Sequence, residues 1–364
     1  MASKEIKVLN EDFTGTGEVQ EKNRFDTASL EAYMRGNVEG FTGPLIVEQF
    51  RGGQSNPTFL LTGGKKQYVL RRKPPGKLLP SAHAVDREYR VITALRNSPV
   101  PVARTYCLCR DDSVIGTWFY IMDYVAGNVT WDPSFPGMEN SRRRKIYLDM
   151  NRVISQLHKV DYIEAGLADF GRTGNYMERQ IGRWIKQYRA AETERMEDME
   201  QLIVWLPQNI PPGEETAIVH GDYRLDNIIL HPDKPLIAAI LDWELSTLGH
   251  PLADFAYHCM NWHVPYSEYK GLGGLDLRAL GIPTEEEYVA EYCRNSGREM
   301  VPPAEWDFYM AYSFFRIAAL SQGIKARALD GSAANRRAVE YGARTPRYAQ
   351  LGRLQMEKAL TRHN

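Results

Sequence analysis

The residues best suited to chemistry lie in one short polar loop between two apolar runs. The apolar runs, 217–219 and 228–230, predict two short buried strands. Between them stand a histidine, two aspartates and an asparagine: His220, Asp222, Asp226 and Asn227. A loop that is anchored on two buried strands holds its side chains in place, so a carboxylate and an amide there could act on a substrate or bind a metal ion.

A further carboxylate follows the next apolar run, which predicts another buried strand and ends at Asp242, twenty residues after Asp222. Protein kinases place an asparagine five residues after the catalytic aspartate and a second aspartate after a later strand, and these two residues bind magnesium. Asn227 has that spacing from Asp222. Trp243 and Glu244 stand where a protein kinase has Phe-Gly.

Taken together, His-Gly-Asp-x4-Asn and Ile-Leu-Asp-Trp-Glu resemble the aminoglycoside phosphotransferase family of small-molecule kinases. The resemblance covers about residues 40–330. Two further segments, Arg-Gly-Gly-Gln-Ser-Asn-Pro-Thr and Val-Leu-Arg-Arg-Lys-Pro-Pro-Gly, are most similar to the kinase-like domains related to those fused to acyl-CoA dehydrogenases. The resemblance implies transfer of the γ-phosphoryl group of ATP to a hydroxyl of a small molecule, with ATP and Mg²⁺ as cofactors.

The resemblance also implies a role for each polar residue of the loop. Asp222 would accept the proton of the acceptor hydroxyl or orient it, and Arg224 would lie near the γ-phosphate. Asn227 and Asp242 would bind Mg²⁺. For His220, a structural hydrogen bond within the loop is favoured over a role as the base.

The order of elements predicts an α+β fold class. Five strand-like segments, several joined by glycine turns, predict an antiparallel sheet: 45–50, 58–62, 67–71, 103–109 and 117–124. A helical pattern over 83–97 supplies one main helix, and helical stripes dominate from residue 141 onward. This order matches a bilobal protein-kinase-like fold, with a five-stranded N-lobe over 1–123, a mostly helical C-lobe over 124–364 and a cleft between them.

The turn between the first two predicted strands is glycine-rich and contains Gly53, Ser55 and Asn56. Glycines let backbone N–H groups approach a phosphate, and a serine hydroxyl can donate to one. Given the motifs downstream, we expect this turn to bind the nucleotide phosphates. An ordinary hairpin turn is the alternative.

The third predicted strand ends in a basic run. Arg71 stands where the resemblance places the lysine that binds the α- and β-phosphates, and arginine retains that charge. Strand alternation places Lys73 on the same face and Arg72 on the opposite one, so either Arg71 or Lys73 could contact the phosphates. Glu88, on the predicted helix, would pair with the cation, although a solvated glutamate is the alternative.

The segment 121–127 would form the hinge between the lobes, where backbone atoms read the adenine edge. Met122, Tyr124 and Val125 would then line the nucleotide. Methionine and valine are also ordinary core residues, so the pattern is weak on its own.

Composition narrows the class of protein. The formal net charge is −1, so no nucleic-acid or membrane partner is expected. Four scattered cysteines and a polar N-terminus without the apolar core of a signal peptide predict a reduced, cytoplasmic protein. The expected partner is a small-molecule hydroxyl acceptor. ATP is not distinguished from GTP, and the oligomeric state is left open.

The acceptor is judged from charge. From residue 260 to the last residue, 14 Lys+Arg stand against 12 Asp+Glu, a formal +2. The stretch 314–337 is its most basic part, with one aspartate against Arg316, Lys325, Arg327, Arg336 and Arg337. A cationic aminoglycoside needs an acidic site, so we expect an anionic or neutral alcohol, such as a hydroxyacyl-CoA. An aminoglycoside kinase and a nucleotide-binding regulatory protein without turnover are the alternatives.

Overall fold

The computed structural model describes residues 15–51, 56–76, 83–331 and 338–363. The chain forms two compact units. The first unit contains the described residues up to Val153 together with Asp161–Phe170 and Arg224–Ser246, and the second contains Ile154–Val160, Gly171–Tyr223 and the described residues from Thr247 onward. The predicted lobes, 1–123 and 124–364, stay a prediction, because compactness alone does not define a nucleotide-binding lobe. Within the described ranges, no helix is both long and apolar enough to cross a membrane.

The strands of the described chain are numbered in order as β1 Thr16–Gly17, β2 Leu45–Phe50, β3 Thr58–Gly63, β4 Lys66–Arg72, β5 Thr105–Cys109, β6 Phe119–Asp123, β7 Ala217–Val219, β8 Ile228–Leu230, β9 Ile237–Ile240 and β10 Thr247–Gly249. The helices are α1 Thr27–Asn37, α2 Val85–Leu95, α3 Asp112–Ile115, α4 Asn140–Lys159, α5 Tyr176–Ala191, α6 Glu197–Gln208, α7 Pro251–Cys259, α8 Tyr266–Tyr269, α9 Leu277–Leu280, α10 Glu285–Ser296, α11 Pro303–Leu329, α12 Ala338–Gly342 and α13 Thr345–His363. Two short 3₁₀ helices, Leu225–Asn227 and Trp243–Leu245, follow β7 and β9.

The first unit is built on an antiparallel sheet that has six strands among the residues described, in the order β1-β2-β3-β4-β6-β5. The five predicted strands are confirmed. The sixth, β1, was not among the predicted strands, because two residues with a glycine give no alternating pattern. Thr16 pairs with Phe50, so β1 covers the edge of β2.

One face of the sheet is closed by α1. Aspartate is a preferred N-cap residue, so the sequence predicts that Asp26 can cap this helix. Its Oδ1 accepts a hydrogen bond from the N–H of Ala28 at 2.9 Å, which confirms the cap. Leu30 and Met34 are fully buried against a cluster that includes Leu70 from β4. Burial of each such side chain stabilises the fold by about 1.5–3 kcal/mol, which fixes the faces of β4.

Within the same unit, β8 and β9 form a small antiparallel hairpin, with Ile228 paired to Ile240. The carboxylate of Asp149 accepts a hydrogen bond from the N–H of Ile237 at 2.7 Å. This hairpin holds two predicted site residues: Asn227 directly before β8, and Asp242 two residues after the end of β9.

The second unit is largely helical. Its longest helix, α11, buries Met310, Phe314 and Ala318 and packs against α5, α7 and α13. The strands β7 and β10 pair antiparallel, with Ile218 opposite Leu248. The polar loop that carries Asp222 therefore leaves a buried strand, as its sequence predicted.

Candidate active site

Arg71 lies at the centre of a buried ionic network in the first unit. It sits on β4 opposite Tyr120 of β6, and its side chain is about one tenth exposed. Its Nε lies 2.8 Å from Oε2 of Glu88, an ion pair without the alignment of a hydrogen bond. Its Nη2 donates to Oδ1 of Asp242 at 2.6 Å and lies 3.9 Å from Oε2 of Glu244.

The charges in this network shift one another's pKa values. Burial alone would lower the pKa of Arg71, but the carboxylates of Glu88 and Asp242 raise it above its ordinary value. Burial raises the pKa of Glu88, although the charge of Arg71 opposes that shift. Arg71 therefore remains a cation at every physiological pH.

Glu88 is held by two further hydrogen bonds, so it is a buried partner and not a solvated surface residue. The Nδ2 of Asn56 donates to its Oε1 at 2.8 Å, and the hydroxyl of Tyr120 donates to its Oε2 at 3.1 Å. Asn56 itself lies 3.0 Å from Nδ1 of His83. Asn56 thus supports Glu88, while the predicted phosphate-binding residues Gly53 and Ser55 lie outside the described residues.

The two basic residues that follow Arg71 in the sequence make different contacts. Arg72 donates to the backbone carbonyls of Asn23 at 2.9 Å and Ile115 at 3.2 Å, on the opposite face of β4. The Nζ of Lys73 lies 4.1 Å from the centre of the Trp118 ring. Arg71 is therefore the cation of this run that joins the carboxylate network.

Asp242 adopts an uncommon backbone conformation, with φ +63° and ψ +60°. Aspartate tolerates this left-handed region better than most residues, and such positions occur preferentially at functional sites. The N–H of Leu241 donates to the backbone carbonyl of Asn227 at 2.8 Å, which brings Asn227 beside the residue that precedes Asp242. The backbones of Asn227 and Asp242 therefore lie close together on the β8–β9 hairpin, and their role as metal ligands stays a prediction.

The donor set at this place fits Mg²⁺. Magnesium prefers oxygen ligands and is usually bound by one or two carboxylates together with substrate phosphates. Asp242 supplies a carboxylate and Asn227 an amide oxygen. Among the described residues no larger group of His, Cys, Asp and Glu surrounds a metal position, and this mode of binding needs none.

Arg224 forms an ion pair with Asp226, with Nη2 2.9 Å from Oδ2. Its side chain is about half exposed, at the start of the Leu225–Asn227 helix. The structure does not test its predicted place near the γ-phosphate, so that role stays a prediction.

The predicted hinge residues follow β6. Met122 is buried on β6 opposite Val69 of β4. Tyr124 is exposed, and its N–H donates to the carbonyl of Gln67 at 3.4 Å. Val125 is half-buried. Their contact with adenine stays a prediction.

Asp222 belongs to the second unit, where a tightly bonded loop holds it. Gly221, directly before it, has φ +82°, a conformation that glycine adopts without strain. The N–H of Asp222 donates to Nδ1 of His220 at 3.2 Å. His220 is fully buried, and its predicted structural hydrogen bond within the loop is confirmed.

A carboxylate from α7 anchors the same loop. Asp254 accepts hydrogen bonds from the N–H groups of His220 and Gly221, both at 2.8 Å. It also lies 3.2 Å from Nε2 of His158. Burial alone would raise the pKa of Asp254, but the bond with His158 and the loop amides lower it below its ordinary value. This residue was not identified as functional from the sequence, where it is one acidic residue in the first turn of a helix.

An arginine of α11 also contacts this loop, at a backbone carbonyl. Arg316 of α11 is buried, and its Nη2 donates to the carbonyl of Gly221 at 2.6 Å. Arg316 belongs to the basic stretch 314–337, from which the sequence favoured an anionic or neutral acceptor. In this stretch Lys325 pairs with Glu194 at 2.6 Å and Arg327 is exposed. These contacts do not test the acceptor class, which stays a prediction. Arg336 and Arg337 lie outside the described residues.

The fold of the chain is the protein-kinase-like fold. Solved structures of choline kinase from Cryptosporidium parvum (15% identity, TM-score 0.61, 92% of this chain and 97% of that one) and of the aminoglycoside phosphotransferase APH(4)-Ia bound to AMP-PNP and hygromycin B (15%, 0.58, 90% and 98%) share it. The model of the phosphotransferase enzyme family APH matches residues 46–316. The chain therefore belongs to the APH phosphotransferase family, as its motifs predicted, and this family membership identifies it as a small-molecule phosphotransferase.

Nearer relatives are also known. A Ralstonia eutropha protein, provisionally titled an aminoglycoside phosphotransferase, is 52% identical with a TM-score of 0.86 over 92% of this chain and 99% of its own. Mouse acyl-CoA dehydrogenase family member 10 is 49% identical over 89% of this chain and 30% of its own length. A probable acyl-CoA dehydrogenase of Arabidopsis thaliana, IBR3, is 42% identical over 95% and 44%. The chain thus spans less than half the length of these two relatives.

Proposed function

We propose that the protein transfers the γ-phosphoryl group of ATP to a hydroxyl of a small molecule. The observation that carries this proposal is the position of Arg71, which contacts Glu88 through Nε and Asp242 through Nη2. A buried cation held between a helix glutamate and the aspartate after β9 is the arrangement that kinases use to bind nucleotide phosphates beside a metal ligand.

The residues of the first unit bind the nucleotide. Glu88 orients Arg71, whose guanidinium can form two parallel hydrogen bonds with phosphate oxygens. Asn227 and Asp242 bind Mg²⁺, which when bound neutralises charge on the phosphates. We propose that the glycine-rich turn with Gly53, Ser55 and Asn56 binds the phosphates, as its sequence predicts, and that Met122, Tyr124 and Val125 line the adenine.

The residues of the loop act on the acceptor. Phosphoryl transfer passes through a loose transition state, so positioning and charge stabilisation provide most of the catalysis. Asp222 orients the acceptor hydroxyl and accepts its proton, and Arg224 lies near the transferred group. The hydrogen bonds that fix the backbone of Gly221 and Asp222 limit the motion of this carboxylate.

For the acceptor we propose an anionic alcohol, of which a hydroxyacyl-CoA is the leading example. The support is the formal +2 of the last third of the chain and the similarity to proteins named acyl-CoA dehydrogenases. An aminoglycoside is the second candidate, because the Ralstonia eutropha relative is named as an aminoglycoside phosphotransferase.

One experiment separates these acceptors. The purified protein is incubated with Mg·ATP and either a mixture of hydroxyacyl-CoA thioesters or kanamycin, and each acceptor is examined by mass spectrometry for the gain of one phosphate. We expect the gain on a thioester alcohol only, with ADP as the second product. Phosphorylation of kanamycin alone would overturn the acceptor class. Release of pyrophosphate in place of ADP would overturn phosphoryl transfer, and nucleotide binding without any product would favour a regulatory protein.

A further inference from the structure

The second unit contains a buried arginine, Arg316, to which the proposed function assigns no role. Arg316 lies in the middle of α11, is only 8% exposed, and its Nε has no hydrogen-bond partner among the described residues. Its guanidinium carbon lies 4.5 Å from the centre of the Tyr257 ring and 5.7 Å from that of Trp184. Burying a guanidinium costs desolvation free energy, so we expect a buried arginine to make interactions that offset this cost.

One such interaction is a hydrogen bond to the loop that carries Asp222. The Gly221–Asp222 peptide is held at both of its polar atoms, because Nη2 of Arg316 donates to the carbonyl oxygen at 2.6 Å and the N–H donates to Nδ1 of His220 at 3.2 Å. The preceding N–H of Gly221 donates to Asp254 at 2.8 Å. Gly221 therefore has an anion at its amide and a cation at its carbonyl, which fixes the orientation of the peptide group that leads into Asp222.

The charge of Arg316 also acts on the loop. Burial alone would lower the pKa of Arg316, but the surrounding tyrosines, of which Tyr257 contributes most, and the carboxylate of Asp222 raise it above its ordinary value. Arg316 therefore remains a cation where it contacts the loop.

We propose that Arg316 is a positioning residue for Asp222: it fixes the Gly221–Asp222 peptide through the carbonyl of Gly221, and so holds the backbone of the residue whose carboxylate receives the acceptor proton. This inference rests on the proposed function, in which Asp222 is the catalytic carboxylate. It predicts that loss of the cation slows transfer without weakening nucleotide binding.

The test compares Arg316→Met, which removes the charge and the donor, with Arg316→Lys, which retains both. Arg294→Met serves as the control, since Arg294 is an exposed arginine of the same unit that pairs with Glu291. Two quantities are measured: hydrogen exchange of the 218–223 segment, which needs no turnover, and release of ADP from Mg·ATP with water as the acceptor. The KM for ATP is measured for each variant as well.

We expect Arg316→Met to lower kcat by about 10²-fold, the effect of a misplaced catalytic group, with the KM for ATP within twofold of the wild type. Exchange in the 218–223 segment should accelerate. Arg316→Lys should restore most of kcat, since a single donor to a carbonyl suffices, and Arg294→Met should match the wild type.

Unchanged loop exchange and unchanged kcat in Arg316→Met would overturn the inference. A fall in kcat with unchanged loop exchange, or a fall in kcat that lysine does not rescue, would also overturn it, since either pattern indicates a packing role alone. Asp222→Asn is measured in parallel. If that variant releases ADP as fast as the wild type, the proposed function fails, whatever Arg316 does.

Discussion

Nη2 of Arg71 lies 2.6 Å from Oδ1 of Asp242, although 171 positions separate the two residues in the sequence. On its other side the same guanidinium lies 2.8 Å from Oε2 of Glu88. One side chain of β4 thus joins helix α2 to the segment that follows β9, all within the first unit. The binding of a nucleotide phosphate and of a metal ion would therefore be coupled through Arg71.

Replacing Asp242 by alanine should weaken the binding of Mg·ATP by more than about tenfold, which corresponds to about 1.4 kcal/mol. The reason is the loss of the carboxylate oxygen that binds the metal. Calorimetric titration with and without Mg²⁺ measures the effect, and the difference from the wild type should shrink when Mg²⁺ is absent. Asp233→Ala, at the exposed turn between β8 and β9, is the matched control. Equal Mg·ATP affinity in wild type and Asp242→Ala would contradict the metal role.

Arg71 and Arg72 should give opposite phenotypes. Arg71→Ala should raise the KM for ATP at least tenfold, because it removes the phosphate-binding cation. Arg72→Ala should leave that KM within twofold and lower the free energy of unfolding by about 1–3 kcal/mol, since the carbonyls of Asn23 and Ile115 lose their donor. Steady-state kinetics and denaturant titration measure the two effects. A larger ATP defect in Arg72→Ala would show that the strand register is wrong.

Asp254→Ala should lower the free energy of unfolding by about 2–5 kcal/mol, because it leaves the N–H groups of His220 and Gly221 buried without an acceptor. Denaturant titration measures this change. Glu299→Ala, at an exposed carboxylate of the same unit, should stay within about 0.5 kcal/mol of the wild type. Equal stability of the two variants would contradict the anchoring role of Asp254.

His258 should make stability depend on pH. Its Nδ1 lies 3.1 Å from the carbonyl of Tyr223 and its Nε2 2.9 Å from the hydroxyl of Tyr288, which suits a neutral imidazole. Burial lowers the pKa of His258 from 6.5 to about 4. The unfolded chain therefore binds the proton more tightly, so the contribution is complete above pH 6.5 and is lost as the pH falls from 6.5 towards 4.

The matched variant is His258→Gln, whose amide can donate to the carbonyl of Tyr223 and accept from the hydroxyl of Tyr288 without titrating. Between pH 7 and pH 5 the wild type should lose about 2 kcal/mol more unfolding free energy than this variant. Denaturant titrations at both pH values measure the difference. The comparison cancels the similar effect of His250, whose pKa burial also lowers to about 4. Parallel losses in both proteins would contradict the assignment.

Those features of the fold and site that follow from a local sequence pattern could be predicted. Alternation placed Arg71 and Arg72 on opposite faces of β4, and the capping residue Asp26 located the start of α1. The strand β1 was missed, since two residues carry no period. Asp254 and Arg316 could not be identified in advance, because they lie 34 and 95 residues from the loop atoms they bind, and only tertiary packing brings them there.

The most direct test of the central claim is a single-turnover measurement of γ-phosphoryl transfer by the wild type and Asp222→Asn, with the binding of Mg·ATP measured in parallel. The amide keeps the size of the carboxylate but cannot accept the acceptor proton. We expect transfer to a hydroxyl, with release of ADP, to fall by about 10²–10⁴-fold in the variant while nucleotide affinity stays within threefold. Equal transfer rates in the two proteins, or no transfer by a wild type that binds Mg·ATP tightly, would contradict the account.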